Sequence, residues 1–216
     1  MAHVGLERVQ HRIGEACDRA GRPREDVTLV VVSKNRSDDD VMAVYDAGQR
    51  VFAENREQGL RARMGSDLPD DIQWHFVGPL QSRKAAYVGE HVTLLHSMDR
   101  LRLANKWTSN TDAPVLIQFN LGEEPQKSGF APNEADEAFA GLQSLGVAVV
   151  GVMAIPPQRE DPEDVRPFFA QLRDIRDRLG STDPAVDVCS MGMTNDLEIA
   201  IEEGATMVRV GRAIFA

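Results

Sequence analysis

The chain has 216 residues, 24 of them basic and 34 acidic, which gives a formal charge of −10, and 42% are hydrophobic. A chain of this length buries on the order of 70% of its unfolded surface without disulfides, and the acidic excess excludes general nucleic-acid binding, which needs a basic face to neutralise phosphates. Apolar runs stop at four or five residues, far short of the ~18 of a membrane span, and no basic-then-apolar leader opens the chain; a soluble, cytoplasmic domain over residues 1–216 is expected, with Cys17 and Cys189 as reduced packing residues and neither membrane nor nucleic acid as partner.

A helix comes first, in the 1–22 segment, with Val9, Ile13, Ala16, Cys17 and Ala20 on one face and Gly21 and Pro23 punctuating its end. Strand-like runs follow at 29–32, 51–54, 72–77, 92–96, 115–120, 147–153, 186–189 and 207–210. Amphipathic helices alternate with them. Their apolar stripes are Val41, Val44 and Tyr45; Leu101, Ala104 and Trp107; Ala135, Ala138, Phe139, Leu142 and Leu145; Val165, Phe168, Phe169, Leu172, Ile175 and Leu179; and Leu197, Ala200 and Ile201. Eight such strands predict a closed, single-domain (β/α)8 barrel of the α/β class. Too few residues follow the eighth strand for a full eighth helix, so the leading helix is expected to pack on the barrel and cover that part of the outer ring. An open doubly wound sheet is the alternative, but it calls for a Gly-rich turn after the first strand, where this chain reads Ser33-Lys34-Asn35-Arg36.

In a barrel the site forms at the carboxyl ends of the strands, which brings Lys34, Glu54, Asn55, His75, His96, Asn120, Met153, Ser190 to Met193 and Arg209 to Arg212 into consideration. The chain holds four lysines against twenty arginines, and only Lys34 ends an apolar run. Alternation along that run points its side chain into the barrel mouth, where partial desolvation is expected to lower its pKa and make a free amine that attacks aldehydes. An ordinary solvated lysine is the competing reading. After the seventh strand, Ser190-Met191-Gly192-Met193-Thr194-Asn195 precedes a helix that Thr194 or Asn195 is expected to cap, with Glu198 three residues after Asn195. Free amides there, with Gly211 and Arg212 after the eighth strand, suit a phosphate, although a plain turn of small residues reads similarly. Together the two features point to a phosphorylated aldehyde held covalently.

At this point the chain resembles the pyridoxal phosphate (PLP) homeostasis protein family. The resemblance rests on Val31 to Lys34, Phe52 to Asn55, Trp74 to Ser82, Leu95 to Ser97, Val115 to Gln118 with Lys127 to Gly129, Gly151 to Pro156, Ser190 to Met193 and Val208 to Gly211. It implies an alanine racemase-like barrel of PLP fold type III, with PLP as a Schiff base on Lys34. Carried over, it makes Ser190, Gly192, Gly211 and the neighbouring Arg212 phosphate contacts, Asn55 a polar contact and Arg209 the residue facing the pyridine nitrogen. Three positions depart from the family pattern: Arg212 replaces Thr or Ser, Ala216 replaces Gly and Ala53 replaces Gly.

A guanidinium only donates hydrogen bonds, so an unprotonated pyridine opposite Arg209 is a weak electron sink. Both tyrosines, Tyr45 and Tyr87, lie in helical patterns, which leaves no paired acid and base at the strand ends. No catalytic residue or metal ligand is therefore assigned. His75 and His96 are read as packed, hydrogen-bonded histidines and Glu54 as an inward-facing polar residue balanced by an arginine. The 127–129 loop is expected to be mobile and to gate or receive the cofactor. The function expected is vitamin B6 homeostasis by a monomer that holds PLP without robust turnover, with PLP-dependent apo-enzymes as recipients. The alternatives are a fold type III racemase or decarboxylase, and a cofactor-free aldolase using Lys34.

Overall fold

Short apolar strands alternating with one-faced helices have one compact solution in which every strand edge is paired. In the computed structural model, which describes residues 3–216, eight parallel strands close into a barrel in sequence order, the eighth hydrogen-bonded to the first. The order is α1 (Val4–Ala20), β1 (Thr28–Val32), α2 (Asp38–Asp46), β2 (Val51–Glu54), α3 (Glu57–Met64), β3 (Gln73–Phe76), α4 (Ala85–His91), β4 (Leu94–Met98), α5 (Leu101–Thr108) and β5 (Val115–Phe119). There follow α6 (Ala135–Ser144), β6 (Val149–Ala154), α7 (Arg166–Thr182), β7 (Val188–Ser190), α8 (Leu197–Glu202), β8 (Met207–Val210) and the single-turn α9 (Arg212–Phe215). Among the described residues no helix is long and apolar enough to cross a membrane.

Alternation along the strands separates two layers of packing. Val31, Phe52, Trp74, Phe76, Leu95, Ile117, Val152, Cys189 and Val208 meet the helical stripes in one continuous core. Inside the barrel, Leu94, Leu116 and Met153 form a separate apolar plug with Val150, Val188 and Met207 against it. Two residues beyond Leu94, Val188 and Met207 come His96, Ser190 and Arg209, so a polar layer lies above the plug toward the carboxyl ends. Both cysteines are free and buried, and burial pushes the Cys189 thiol up to about 12.

The leading helix α1 packs against α8 and α9. Arg12 donates to both carboxylate oxygens of Glu198 on α8 (2.6 and 2.9 Å) and Arg8 to the Ala213 carbonyl on α9 (2.6 Å). A Cβ on Gly5 would stand 1.9 Å from the Ile214 carbonyl oxygen, so only glycine permits this approach. Residues 1 and 2 of the 1–22 segment lie outside the described residues.

Some expected details differ. β4 runs two residues further than 92–96, because His96 and Ser97 are fully buried with partners instead of ending the strand; the Ser97 hydroxyl donates to the Gly78 carbonyl at 2.6 Å. Leu101 and Ala20, expected on apolar stripes, are exposed. Leu103 takes the buried place on α5 beside Ala104 and Trp107. The residue that flanks α8 is Asp196, whose carboxylate accepts from the Met193 amide at 2.6 Å; Thr194 and Asn195 do not cap it, and Glu198 pairs with Arg12 instead of closing a capping box.

Candidate functional site

Lys34 follows β1 by two residues, on the Ser33–Arg36 turn. Ser33 N–H donates to the Ala53 carbonyl at 3.0 Å, and Val31 pairs with Val210. This register sets Asn55 beside Lys34 on one side and Gly211 with Arg212 on the other. The Arg209 amide donates to the Gly192 carbonyl (2.9 Å), which brings the turn after β7 next to that after β8. The Lys34, Asn55, Gly192, Gly211 and Arg212 positions thus share the mouth of the barrel.

One expectation for Lys34 fails. Its side chain is exposed, because the residue stands beyond the strand on a turn that projects into solvent. Lys84 and Lys127 are tied to Glu57 and Glu124, whereas no hydrogen bond or ion pair holds Lys34 among the described residues.

Beneath the mouth the polar layer is continuous. His75 Nδ1 lies 3.0 Å from His96 Nε2, and His96 Nδ1 lies 2.9 Å from Ser190 Oγ. Arg209 Nη1 donates to that same Oγ at 2.6 Å, while Nη2 donates to the Ala154 carbonyl at 2.9 Å. The chain His75–His96–Ser190–Arg209 therefore links β3, β4, β7 and β8, and all four residues are buried. Burial lowers the His75 imidazole to about 4; burial, then the neighbouring His75 and Arg209, hold His96 well below its ordinary value. Both rings are thus neutral near pH 7, each with one N–H to share along the chain.

Arg209 is a buried cation whose hydrogen-bond acceptors, Ser190 and Ala154, are neutral. Burial lowers it to about 10, with Asp196 opposing the shift from a distance. A guanidinium held this way favours an acceptor or an anion arriving from the mouth. Above it, Gly192 has φ 88 and a Cβ there would stand 2.5 Å from that of Ala200, so this turn needs glycine both for its left-handed backbone and for its packing on α8. Among the described residues, the backbone N–H groups of Gly192, Thr194, Asn195 and Gly211 meet no acceptor. Free amides on adjoining turns above a cation suit an anion, and an unpaired amine stands on the same face. These residues fit a phosphorylated aldehyde.

Ser190 bridges Arg209 and His96 in the polar layer below the Gly192 turn, and the Arg212 side chain is exposed. Glu54 does not face inward: its carboxylate accepts from Ser33 Oγ at 2.8 Å and from Arg63 Nε on α3 at 3.2 Å, and a Cβ on Gly59 of α3 would stand 2.6 Å from it. The arginine counterpart expected for it is present, but between the sheet and the outer ring. Side-chain contacts hold the 127–129 loop. Gln118 Nε2 donates to the Ser128 carbonyl (2.7 Å), Lys127 Nζ to the Pro156 carbonyl (2.9 Å), and Lys127 pairs with Glu124. Tyr45 bonds Asp71 and Tyr87 stacks on His91, both on outer helices away from the mouth.

The chain is similar to known proteins in both sequence and fold. The chain matches the family model for the N-terminal domain of alanine racemase over residues 4–216. It is 41% identical over 217 residues to a protein of Aquifex aeolicus (strain VF5) named pyridoxal phosphate homeostasis protein, covering 97% of this chain and 95% of that one. A protein of the same name from Escherichia coli (strain K12) is 39% identical over 226 residues, covering 100% and 95% respectively. Among solved structures, that of PipY from Synechococcus elongatus PCC7942 with PLP bound superimposes with a TM-score of 0.81 at 32% identity, over 96% of this chain and 100% of that one. On sequence and fold alike, the chain belongs to the pyridoxal phosphate homeostasis protein family, built on the alanine racemase N-terminal barrel of PLP fold type III.

Proposed function

We propose that this chain holds PLP through a Schiff base on Lys34 and serves in intracellular, cytoplasmic PLP homeostasis as a monomer, without robust turnover. The observation that carries the reading is the convergence at one mouth of an amine with no partner, a buried guanidinium with no carboxylate, and four amides with no acceptor. When bound, PLP supplies an aldehyde that lysine captures and a ring that draws electrons from the captured carbon. The chain's own part is to cradle the phosphate with the amides of Gly192, Thr194, Asn195 and Gly211, to add a polar contact from Asn55, and to present N–H donors from Arg209 to the ring nitrogen.

Donation from a cation leaves that nitrogen unprotonated and the electron sink weak. Racemisation also requires an acid and a base placed on opposite faces of a substrate, and both tyrosines lie on the outer ring. These two features support storage and delivery over turnover, with PLP-dependent apo-enzymes as recipients. The loop carrying Lys127 lines a cavity of about 190 Å3 with Pro79, Gln118, Asn120 and Ile155, and in this reading it gates or receives the cofactor.

The purified protein loaded with PLP is expected to be yellow, to lose its long-wavelength absorption on borohydride reduction, and to carry the pyridoxyl group on Lys34 in peptide mapping. Lys34→Ala is expected to abolish the adduct while leaving cooperative thermal unfolding intact, since an exposed side chain adds little packing. A tag mapped to another side chain overturns the assignment. Incubation with L-amino acids in heavy water separates the racemase reading: rapid, saturable α-deuterium exchange there overturns the non-enzymatic one.

A further inference from the structure

The position of the Lys34 amine is decided by a turn that nothing on the lysine side chain stabilises. Asn35, the next residue, has φ 60, a left-handed backbone that asparagine tolerates better than most residues other than glycine. The Arg36 amide closes the turn by donating to the Ser33 carbonyl at 3.1 Å, and one side chain of the outer ring holds it from outside. Arg63 on α3 is 7% exposed, and its Nη2 donates to the carbonyls of both Ser33 (3.1 Å) and Arg36 (2.7 Å), the two residues that bracket Lys34 and Asn35. Its Nη1 holds Asp38 at the start of α2, and its Nε donates to Glu54 Oε1 at 3.2 Å. The same Glu54 oxygen accepts from Ser33 Oγ at 2.8 Å. One planar guanidinium thus spans the turn from its first carbonyl to the helix that follows, and anchors it to the end of β2.

We infer that Arg63 is the positioning residue of Lys34: it never reaches the mouth, but by holding both carbonyls of the turn it sets the direction from which the amine meets an aldehyde. The inference rests on the proposed Schiff base at Lys34. An amine left to swing with a loosened turn reaches the aldehyde less often in attacking geometry, and a misplacement of this kind costs on the order of tenfold or more in rate. Neutral replacements cannot substitute, since the turn needs several donors in a fixed fork.

The test compares Arg63→Met combined with Glu54→Gln, which removes the buried ion pair as a unit, with the unaltered protein, each with and without Lys34→Ala. With Lys34 present, the double change is expected to slow formation of the borohydride-trapped adduct with PLP about tenfold. With Lys34→Ala, equilibrium dialysis is expected to show PLP retention changed by less than about twofold, because the phosphate cradle lies on other loops. Arg63→Lys, which keeps the charge beside Glu54 but has a smaller, three-donor head, is expected to give an intermediate slowing, and is the deciding variant if the double change does not fold. An unaltered protein that forms no adduct on Lys34 defeats the cofactor reading itself. A normal adduct there with an unchanged rate in the variants, or equal losses in both backgrounds, overturns the role of Arg63.

Discussion

Acidification from pH 6.5 to pH 4 is expected to remove about 3 kcal/mol of folding stability through His75 alone. Burial holds the folded imidazole at about 4 against an ordinary 6.5, so between those values the unfolded chain binds a proton that the folded one refuses. Stability contributed by the neutral ring is complete above pH 6.5 and falls as the pH drops toward 4. His96 shifts in the same direction and steepens the loss, since charging either ring sets a second cation near Arg209 in the barrel interior. Carboxylates such as Asp38 and Glu57 are held below their ordinary range by their hydrogen bonds, chiefly from Ser66 and Arg61 respectively, and lose their contribution only at lower pH. From pH 6.5 to 5 the imidazoles dominate the loss, while Asp99, a carboxylate that burial raises, acts in the opposite sense. Urea unfolding at half-unit steps is expected to give a slope of at least about 1 kcal/mol per pH unit there, reduced in His75→Gln. A flat profile over that interval would show that the polar layer admits water and protons freely.

Replacing Arg209 with methionine is expected to move stability and cofactor retention in opposite directions. The guanidinium is buried against two neutral acceptors, and the fall from 12.5 to about 10 corresponds to roughly 3 kcal/mol of strain on the charged form. Because it stays protonated at pH 7 in both folded and unfolded states, that cost is fully present there and is relieved only above pH 10. Against it stand the two hydrogen bonds to Ser190 and Ala154, together about 2 kcal/mol. Arg209→Met in the cofactor-free protein is thus expected to be as stable as the unaltered chain or about 1 kcal/mol more so, the pattern of a residue kept for binding at some expense to folding. The same variant is expected to lose PLP on dialysis far faster than Arg212→Ala, whose side chain is exposed. Denaturant midpoints and parallel dialysis check both halves. A loss of several kcal/mol in the cofactor-free variant would mean that Arg209 belongs to the scaffold.

Much of this architecture could be read before the structure because the barrel writes itself in alternation. β2 and β8 fall on their expected residues, and the remaining strands lie within about two residues of theirs, because each is bounded by polar turns and faces an apolar layer on its outer side. β4 was harder, since Leu94-Leu95-His96-Ser97-Met98 carries two polar residues that become strand interior only when Ser190 and Gly78 supply partners from far along the chain. Glu54 is the opposite case. Strict alternation from Phe52, which packs outward, already places Glu54 on the outer face. Reading it as an inward strand-end residue set that periodicity aside. The burial of Arg63 is not legible in the same way, because an arginine in a polar helix reads as solvated, although Glu57, Leu60 and Arg63 recur at steps of three on the buried side of α3. The exposure of Lys34 was out of reach, because alternation fixes the face of a strand but not the course of the turn beyond it.

The contact between Gly5 and Ile214 has a kinetic consequence. Helix α1 docks on α8 and α9, which are synthesised after all the elements from β1 to β7, so its apolar stripe of Leu6, Val9, Ile13 and Cys17 waits uncovered until they emerge. Ring closure between β1 and β8 waits for the same residues. Pairings this distant in sequence slow folding and leave sticky surface open meanwhile, which makes the nascent chain, more than the finished barrel, the form in need of chaperone protection.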